Sequence, residues 1–187
     1  MKKILNKIHA AKRNLTLLEK KIFVKQIHNF SIKAIKTLKN KRKLIFCGNG
    51  GSVSDSNHIV AELVGRFMKN RSAINAISFT ANNSAITAIA NDFGYEKIFS
   101  RQLEAHGKKG DFLICISTSG KSKNILEVIK KAKKMDISTL LLSSELARNV
   151  NVKSNYKVLV PSKRTDRIQE MHILIGHIVC ELIEKSF

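Results

Sequence analysis

A histidine and a glutamate on one predicted helix are the first candidates for chemistry in this sequence. His58 and Glu62 are four residues apart, so their side chains lie on the same helix face. An imidazole and a carboxylate in that arrangement can bind a transition metal or act as an acid–base pair. The same pairing is common on ordinary helix surfaces, so it does not establish a site by itself.

The last predicted helix carries a second group of polar side chains among apolar ones. These are Gln169, Glu170, His172 and His177. A histidine on such a helix is usually a core residue with its hydrogen bonds satisfied. Gln169 and His177 are eight residues apart, which is about 12 Å along a helix. They can share one ion only if long side chains converge, if the helix begins irregularly, or if different subunits contribute.

A glycine-rich turn follows the first predicted strand. Residues 47–52 read CGNGGS, and their three glycines allow the backbone N–H groups to approach a ligand. Val53 stands where the dinucleotide-binding motif requires its third glycine, and no GK[ST] motif follows. The turn therefore matches neither nucleotide motif, and a purely structural tight turn explains it equally well.

A turn rich in hydroxyl groups follows the third predicted strand and precedes a helix. Its hydroxyls belong to Ser117, Thr118, Ser119 and Ser122. Helix capping requires only one hydroxyl, whereas several hydroxyls and free N–H groups at a helix N-terminus suit a phosphate. Because no nucleotide motif accompanies the turn, we expect a phosphomonoester ligand.

The elements that must position these groups follow from hydrophobic patterning. Short apolar segments predict strands at 43–47, 73–79, 111–117, 138–143 and 157–162. Helical spacing predicts helices at 52–68, 83–91, 95–106, 123–135 and 166–184, with Ser52 or Ser54 as N-cap of the first. Residues 1–40 predict one long helix or two in series. The alternation indicates an α/β fold, a five-stranded parallel sheet flanked by helices, in a single domain 1–187 on which the segment 1–40 packs.

The charge balance is strongly basic. The chain has 34 Lys and Arg against 14 Asp and Glu, a formal charge of +20 over 187 residues. A polyanion partner is one explanation. However, the basic residues are spread over helix surfaces, and the aromatic content of 6% without Trp supplies little for stacking on bases. We therefore expect no nucleic-acid partner, and assign the charge to solubility and to attraction of a phosphorylated substrate.

Cysteine content and hydropathy indicate a cytoplasmic protein. Three widely separated cysteines exclude a disulfide scaffold and suit a reducing compartment. No apolar run approaches the roughly 18 residues that a membrane span needs, and the N-terminus has no continuous apolar signal segment. The apolar helices at both ends carry more apolar surface than one small domain can bury, which predicts an oligomer.

Four motifs, taken together, resemble the phosphoheptose isomerase family of the sugar isomerase (SIS) domain superfamily. They read CGNGGSVSDSNHIVAELVGRF (47–67), AITAIANDFGYEKIFSRQLEAHGKKGD (85–111), ISTSGKSKNIL (116–126) and TDRIQEMHILIGHIVCELIE (165–184). The resemblance covers about residues 45–185 in order. It implies a SIS fold assembled as a homotetramer with active sites between subunits.

The resemblance also implies the reaction and its residues. The substrate would be sedoheptulose 7-phosphate, a phosphorylated ketoheptose, and the product D-glycero-D-manno-heptose 7-phosphate for lipopolysaccharide or capsule. Phosphate binding is implied for Ser117, Thr118, Ser119 and Ser122, and sugar binding for Asn49, Gly50, Gly51, Ser52, Asn82, Asp92, Asp166 and Gln169. Zinc binding or catalysis is implied for His58, Glu62, Gln169 and His177.

The implied chemistry moves a carbonyl from C2 to C1 through a cis-enediol. It needs a base to move the carbon-bound proton and an acid–base group to move a proton between the oxygens. We assign Glu62 as the base and His177 as the second group. A metal would polarise the carbonyl. The sequence leaves open whether Glu62 acts mainly as base or as metal ligand.

Two departures from the family pattern stand out. Asn82 occupies a position that is acidic in many members, and residues 143–148 lack the glycine-rich loop often found after the fourth strand. Two alternatives share the fold: a non-catalytic SIS protein that binds a replication-initiator partner, and another sugar-phosphate isomerase or a regulatory module that senses a phosphosugar. Neither of the binding roles requires the set His58, Glu62, Gln169 and His177.

Overall fold

The computed structural model describes residues 1–187 and has a five-stranded parallel sheet at its centre. The strands are β1 (Leu44–Gly48), β2 (Ala76–Ser78), β3 (Phe112–Ile116), β4 (Ser138–Ser144) and β5 (Tyr156–Val160). Their order across the sheet is β2-β1-β3-β4-β5, and every neighbouring pair is parallel. The predicted α/β fold is confirmed.

Seven α-helices surround the sheet. They are α1 (Lys2–Leu18), α2 (Lys21–Lys39), α3 (Gly51–Val64), α4 (Asn83–Phe93), α5 (Ile98–His106), α6 (Lys123–Lys134) and α7 (Thr165–Glu184). Short 3₁₀ turns at Tyr95–Lys97 and Glu145–Ala147 complete the chain. The N-terminal segment thus forms two helices in series, which break where Lys20 adopts extended backbone angles.

The strands alternate their side chains between two apolar layers, which explains why each is a continuous apolar run. Leu44 and Phe46 of β1 face the layer built with α2, α3 and α7. Ile45 and Cys47 face the opposite layer, built with α5 and α6. Because both faces are covered, every residue of β1 and β3 is buried. The prediction of a sheet covered on both faces is confirmed.

The predicted extents of a helix and a strand, α3 and β2, are wrong. Helix α3 begins at Gly51 with Gly50 as its N-cap, so neither Ser52 nor Ser54 caps it, and it ends at Val64 instead of 68. Strand β2 has three residues instead of the seven expected at 73–79. Between α3 and β2, residues 65–75 form an irregular segment in which the backbone N–H groups of residues 67–69 bond to Glu184.

The strand order creates a crevice at one edge of the sheet. The chain leaves β1 toward β2 on one side and leaves β3 toward β4 on the other, so the order reverses between β1 and β3. Gly48 and Ile116, the last residues of these strands, are register partners. Ligands of open α/β sheets bind at such a switch point, outside the carboxyl ends of the strands. The glycine-rich and hydroxyl-rich turns therefore begin side by side.

The N-terminal helices leave much apolar surface uncovered. Helix α1 buries only Leu18, while Ile4, Leu5 and Ile8 are more than half exposed. Helix α4 buries no residue. None of the helices combines the length and apolar character of a membrane span. All three cysteines are buried free thiols, as expected without a disulfide framework.

Candidate active site

The glycine-rich turn positions Asn49 by a network of amide hydrogen bonds. Asn49 Nδ2 donates to Asn124 Oδ1, and Asn124 Nδ2 donates back to Asn49 Oδ1, each at 2.9 Å. The Tyr95 hydroxyl donates to the same Asn49 Oδ1 at 3.2 Å. The oxygen of Asn49 is thereby occupied, while its Nδ2 bonds only to Asn124 and keeps one N–H free for a ligand.

Gly51, the first residue of α3, lies directly against Gln169 of α7. A Cβ at position 51 would stand 2.0 Å from Gln169 Nε2. Gly50 has φ +56°, in the region that favours glycine. Ser52 is buried, and its carbonyl accepts from the Ser56 hydroxyl at 2.8 Å. The turn therefore brings Gln169 to the N-terminus of α3, beside the sugar-binding candidates of the sequence.

In the hydroxyl-rich turn, two side chains form hydrogen bonds within the turn and two have no protein partner. Ser117 Oγ accepts from Gly120 N at 3.1 Å, and Ser119 Oγ accepts from Lys121 N at 3.2 Å. Ser122 is the N-cap residue of α6 but makes no side-chain capping bond, and the Thr118 hydroxyl has no protein partner either. The first N–H groups of α6 are also free of intrahelical partners. These groups can bind a phosphate.

Residues 143–148, which lack the family's glycine-rich loop, contact the hydroxyl-rich turn. Ser144 Oγ donates to the Thr118 carbonyl at 2.7 Å. Gly120 has φ +64° and lies so close to Ala147 that a Cβ there would stand 2.6 Å from the alanine Cβ. The backbone after β4 thus holds the turn in place although its sequence departs from the family pattern.

The three titratable residues proposed for catalysis or metal binding converge in one chain. His58 Nε2 lies 3.1 Å from Glu62 Oε1 and 3.3 Å from His177 Nε2. One donor atom from each of the three lies within 4.8 Å of the others. His177 also stacks on the Phe67 ring, with centroids 5.7 Å apart. The cluster is accessible, since His58 is exposed and Glu62 and His177 are partly exposed.

The geometry of this cluster fits a zinc ion. Tetrahedral zinc binds histidine nitrogens at about 2.0–2.1 Å, which sets two ligand nitrogens about 3.3 Å apart. The Nε2 atoms of His58 and His177 are 3.3 Å apart. Two imidazoles and a carboxylate are a donor set typical of zinc sites that keep a fourth position open. His58, Glu62 and His177 therefore have the chemistry and spacing to hold the metal.

Asp55 adds a carboxylate on the same helix, one turn before His58. Partial burial raises its pKa to about 6, and the neighbouring His58 opposes that shift. Its Oδ2 is buried and has no hydrogen-bond partner. The three-residue spacing from His58 is the sequence signal that could have indicated this neighbour.

Gln169 is not part of the imidazole cluster within one chain. It contacts Gly51, and Gly176 of the same helix contacts Ile59, so α7 and α3 run side by side in the same direction. His177 lies eight residues further along α7, about 12 Å in a helix. One chain thus presents two groups of candidates: Gln169 with the glycine-rich and hydroxyl-rich turns, and His58 with Glu62 and His177.

The remaining sugar-binding candidates have local partners. Asn82 caps α4, where its Oδ1 accepts from Ala85 N at 3.0 Å. Asp92 is exposed on α4 and accepts from the neighbouring Asn91 side chain at 2.9 Å. Asp166 pairs with Arg164, whose guanidinium lowers the pKa of that carboxyl. The structure does not bring these three side chains into contact with either group of candidates.

His172 is the core histidine that the sequence suggested. It is fully buried, and its Nε2 lies 3.0 Å from the Ser143 carbonyl. Burial lowers its pKa to about 4, against the smaller opposing effect of that hydrogen bond. The side chain is therefore neutral near pH 7 and stays out of the exposed cluster.

Other residues that contact the candidates were also missed in the sequence. Asn124 and Tyr95 fix the side chain of Asn49, and Phe67 stacks on His177. Asn124 lies in the first turn of the helix that follows the hydroxyl-rich turn, but no local pattern indicates a partner 75 residues away. Phe67 lies within a quoted motif, yet its contact with α7 has no signal in local spacing.

Comparison with known proteins supports the relationship suggested by the motifs. The SIS domain family matches residues 9–144. The chain is 49% identical over 161 residues to the phosphoheptose isomerase of a Nitratiruptor species, covering 86% of each chain. It is 50% identical over 153 residues to that of Helicobacter pylori (strain Shi470), covering 82% of this chain and 80% of the relative.

Solved structures of phosphoheptose isomerases support the same relationship. The phosphoheptose isomerase of Neisseria gonorrhoeae superposes with a TM-score of 0.88 at 34% identity, covering 98% of both chains. That of Francisella tularensis superposes with a TM-score of 0.90 at 29% identity, covering 98% of this chain and 97% of the other. The match extends over the sheet, the helices and the N-terminal segment. This chain belongs to the phosphoheptose isomerase family of SIS-domain proteins.

Proposed function

We propose that this protein is an aldose–ketose isomerase that converts sedoheptulose 7-phosphate to D-glycero-D-manno-heptose 7-phosphate. The observation that carries the proposal is the convergence of Glu62 with His58 and His177 in a fold that also presents a hydroxyl-rich turn. A phosphosugar sensor needs the turn but has no use for a carboxylate and two imidazoles in contact. The relatives are named phosphoheptose isomerases, which supports a phosphorylated heptose as the substrate.

The phosphate end of the substrate is assigned to the turn before α6. The free hydroxyls of Thr118 and Ser122 and the first N–H groups of the helix supply donors, and the helix dipole favours the negative charge. Asn49 offers an N–H to a sugar oxygen, because its own oxygen is occupied by Asn124 and Tyr95. The net charge of +20 attracts the dianionic substrate over longer distances.

The proton transfers are assigned to Glu62 and His177. Glu62 takes the proton from C1 of the ketose and returns it to C2, by way of the cis-enediol. His177 moves a proton between O1 and O2 when its Nε2 is not a metal ligand, since an imidazole is suited to proton transfer near neutral pH. Each such transfer typically contributes about 10²–10⁴-fold to the rate.

Zinc is the proposed cofactor, held by His58, Glu62 and His177. When bound there, it supplies a Lewis acid that polarises the carbonyl and stabilises negative charge on the oxygens. The two Nε2 atoms at 3.3 Å support this assignment. Gln169, beside Gly51 in its own chain, completes the ligand set only from a second copy.

A shared site requires an oligomer, and we propose a homotetramer. The uncovered apolar residues of α1 and the unburied helix α4 supply the surface. In this arrangement the hydroxyl-rich turn of one subunit faces the cluster of another. We place the enzyme in the cytoplasm, in keeping with its free thiols, as a supplier of heptose for lipopolysaccharide or capsule.

The direct test is an assay of purified protein with sedoheptulose 7-phosphate and no redox cofactor. We expect an aldoheptose phosphate to form, and a chelator to reduce the rate until zinc is restored. No turnover, together with binding of the phosphosugar, would instead support the sensor. Capture of a replication initiator by an inactive protein would support the protein-binding alternative.

Two substitutions separate the roles of Glu62. Glu62→Gln retains an oxygen for the metal but cannot accept a proton, so we expect turnover to fall about 10²–10⁴-fold with zinc still bound. Glu62→Ala should lose both the turnover and the bound zinc, because alanine offers neither a base nor a ligand oxygen. Glu104→Gln, on an exposed helix face, is the control. Turnover of the Gln variant near the wild-type rate would contradict the assignment of Glu62 as base.

Sharing of the site can be tested by complementation. Glu62→Gln subunits and Gln169→Ala subunits are each expected to be inactive as homo-oligomers. If the site lies between subunits, co-expression should give mixed oligomers in which some sites are intact, and activity should return. Mixed oligomers without activity would contradict a shared site.

A further inference from the structure

A buried carboxylate at the end of α7 binds the irregular segment that follows α3. Glu184 accepts hydrogen bonds from the backbone N–H groups of Phe67, Met68 and Lys69 at 3.2, 2.9 and 3.0 Å. It also accepts from Arg71 Nε at 3.2 Å. Only 2% of the Glu184 side chain is exposed. Three consecutive N–H groups form an anion-binding nest, and here the anion is an internal side chain.

Arg71 extends this contact to the end of α3. Its Nη2 donates to the Glu62 carbonyl at 2.8 Å, and its Nη1 donates to the Leu63 carbonyl at 2.9 Å. These carbonyls belong to the last turn of α3, where helix carbonyls lack intrahelical partners. A cation at that end also suits the helix dipole. Arg71 therefore caps the helical turn that carries the Glu62 side chain.

Phe67 extends the same contact to His177. Its backbone N–H is held by Glu184, and its ring stacks on the imidazole at an interplanar angle of 23°. The Phe67 ring covers one side of the imidazole and His58 meets it at 5.0 Å between ring centroids, so the rotation of the His177 side chain is limited. Glu184 is thus connected to Glu62 through Arg71 and to His177 through Phe67.

Stability alone does not explain why Glu184 and Arg71 form a buried ion pair. Removing a carboxylate and a guanidinium from water is costly, and well-packed apolar residues at such positions often give equal or greater stability. Burial by itself would raise the pKa of Glu184, but the N–H donors and Arg71 outweigh it and hold the pKa below its ordinary value. The Glu184 carboxylate therefore stays ionised, and its hydrogen bonds fix the direction of each donor.

We propose that Glu184 is a positioning residue of the active site, which sets the Glu62 and His177 side chains through Arg71 and Phe67. The inference rests on the proposed function for its effect on turnover. Its effect on metal binding does not depend on the substrate. Residues that orient metal ligands without touching the metal typically change affinity or activity 10–100-fold when replaced.

The test compares Glu184→Gln with Glu181→Gln, a matched control on the same helix whose carboxylate is partly exposed and bonds only to Lys185. We expect Glu184→Gln to lower kcat and zinc affinity about 10–100-fold each, with KM changed less than about threefold. We expect KM to change less because none of the hydrogen-bond partners of Glu184 belongs to the hydroxyl-rich turn. Zinc affinity is measured by titration of the metal alone, without substrate.

A second variant keeps the inference testable if Glu184→Gln does not fold. Phe67→Leu leaves the backbone nest intact and removes only the ring from His177, so it should lower zinc affinity and kcat while the unfolding midpoint changes little. Folded Glu184→Gln protein with wild-type kcat and wild-type zinc affinity would overturn the proposal. So would a Phe67→Leu protein with unchanged zinc affinity. Failure of sedoheptulose 7-phosphate as substrate, with the zinc effect present, would overturn only the proposed function.

Discussion

Asn49 and Asn124 are joined by two reciprocal amide hydrogen bonds, each of 2.9 Å, across 75 residues of sequence. The pair links the glycine-rich turn after β1 to the first turn of α6. Asn124 is 2% exposed, so neither its oxygen nor its nitrogen can turn to water instead. Each amide therefore fixes the orientation of the other, and the two turns at the switch point form one rigid surface.

Asn124→Ala should weaken substrate binding. It leaves the amide of Asn49 without its partner, at a cost of about 1–3 kcal/mol, and lets the side chain rotate. We expect KM for sedoheptulose 7-phosphate to rise about tenfold or more, since about 1.4 kcal/mol corresponds to a factor of ten. Zinc affinity should not change, because His58, Glu62 and His177 bond neither to Asn49 nor to Asn124. Steady-state kinetics test this, with Lys130→Ala on the exposed face of α6 as control; equal KM values in both variants would contradict it.

Gly51→Ala should act through Gln169. The new Cβ would stand 2.0 Å from Gln169 Nε2, and the end of that flexible side chain can move while the backbone stays. We expect the protein to fold normally and kcat/KM to fall roughly 10- to 100-fold, as small misplacements at a reacting centre do. A double-mutant cycle provides the check: with Gln169→Ala already present, the extra methyl group should have little effect. Additive losses would show that Gln169 does not transmit the change.

His58→Gln and His177→Gln should each reduce zinc affinity at least about 100-fold, because removing a ligand costs more than the 10–100-fold typical of its outer-shell partners. The two nitrogens, 3.3 Å apart, are expected to bind one ion together. Metal titration followed by calorimetry measures the loss. His106→Gln, at an exposed position on α5, should bind zinc like the wild type. An unchanged affinity in either of the first two variants would remove that histidine from the metal site.

Buried His172 should make stability depend on pH. Its pKa is about 4 in the folded protein and 6.5 ordinarily, so the unfolded chain binds the proton first as the pH falls. The stability that neutral His172 contributes is fully present above about pH 6.5 and is lost progressively down to about pH 4. Between pH 7 and pH 5 this corresponds to about 2 kcal/mol in the free energy of unfolding.

Urea unfolding at pH 7 and pH 5, at one protein concentration, measures that contribution. The loss of stability between the two pH values should be smaller in His172→Gln than in the wild type, because glutamine binds no proton. His28→Gln, at an exposed position on α2, should retain the wild-type loss. A His172→Gln protein with the full pH dependence would contradict the assignment.

The local candidates could be predicted because they depend on spacing along one element. His58 and Glu62 share a face of α3 whatever surrounds that helix, and they lie 3.1 Å apart. Ser117 and Ser119 follow a buried strand, so their turn had to lie at the carboxyl end of the sheet. The end of α3 could not be predicted, because residues 67–69 bond to Glu184, more than a hundred residues away.

The amino-acid sequence by itself determined the five strands, the covered sheet, the two turns beside the switch point and the candidate residues on each helix. These follow from apolar periodicity and from residue spacing, which act over one or two helical turns. Only the tertiary structure decided that His177 meets His58, that Gln169 meets Gly51 instead, and that Asn124 holds Asn49. Those contacts depend on the direction in which α7 packs beside α3 and on the order of the strands. The burial of both sheet faces determines how these helices pack, and no local sequence pattern predicts that packing.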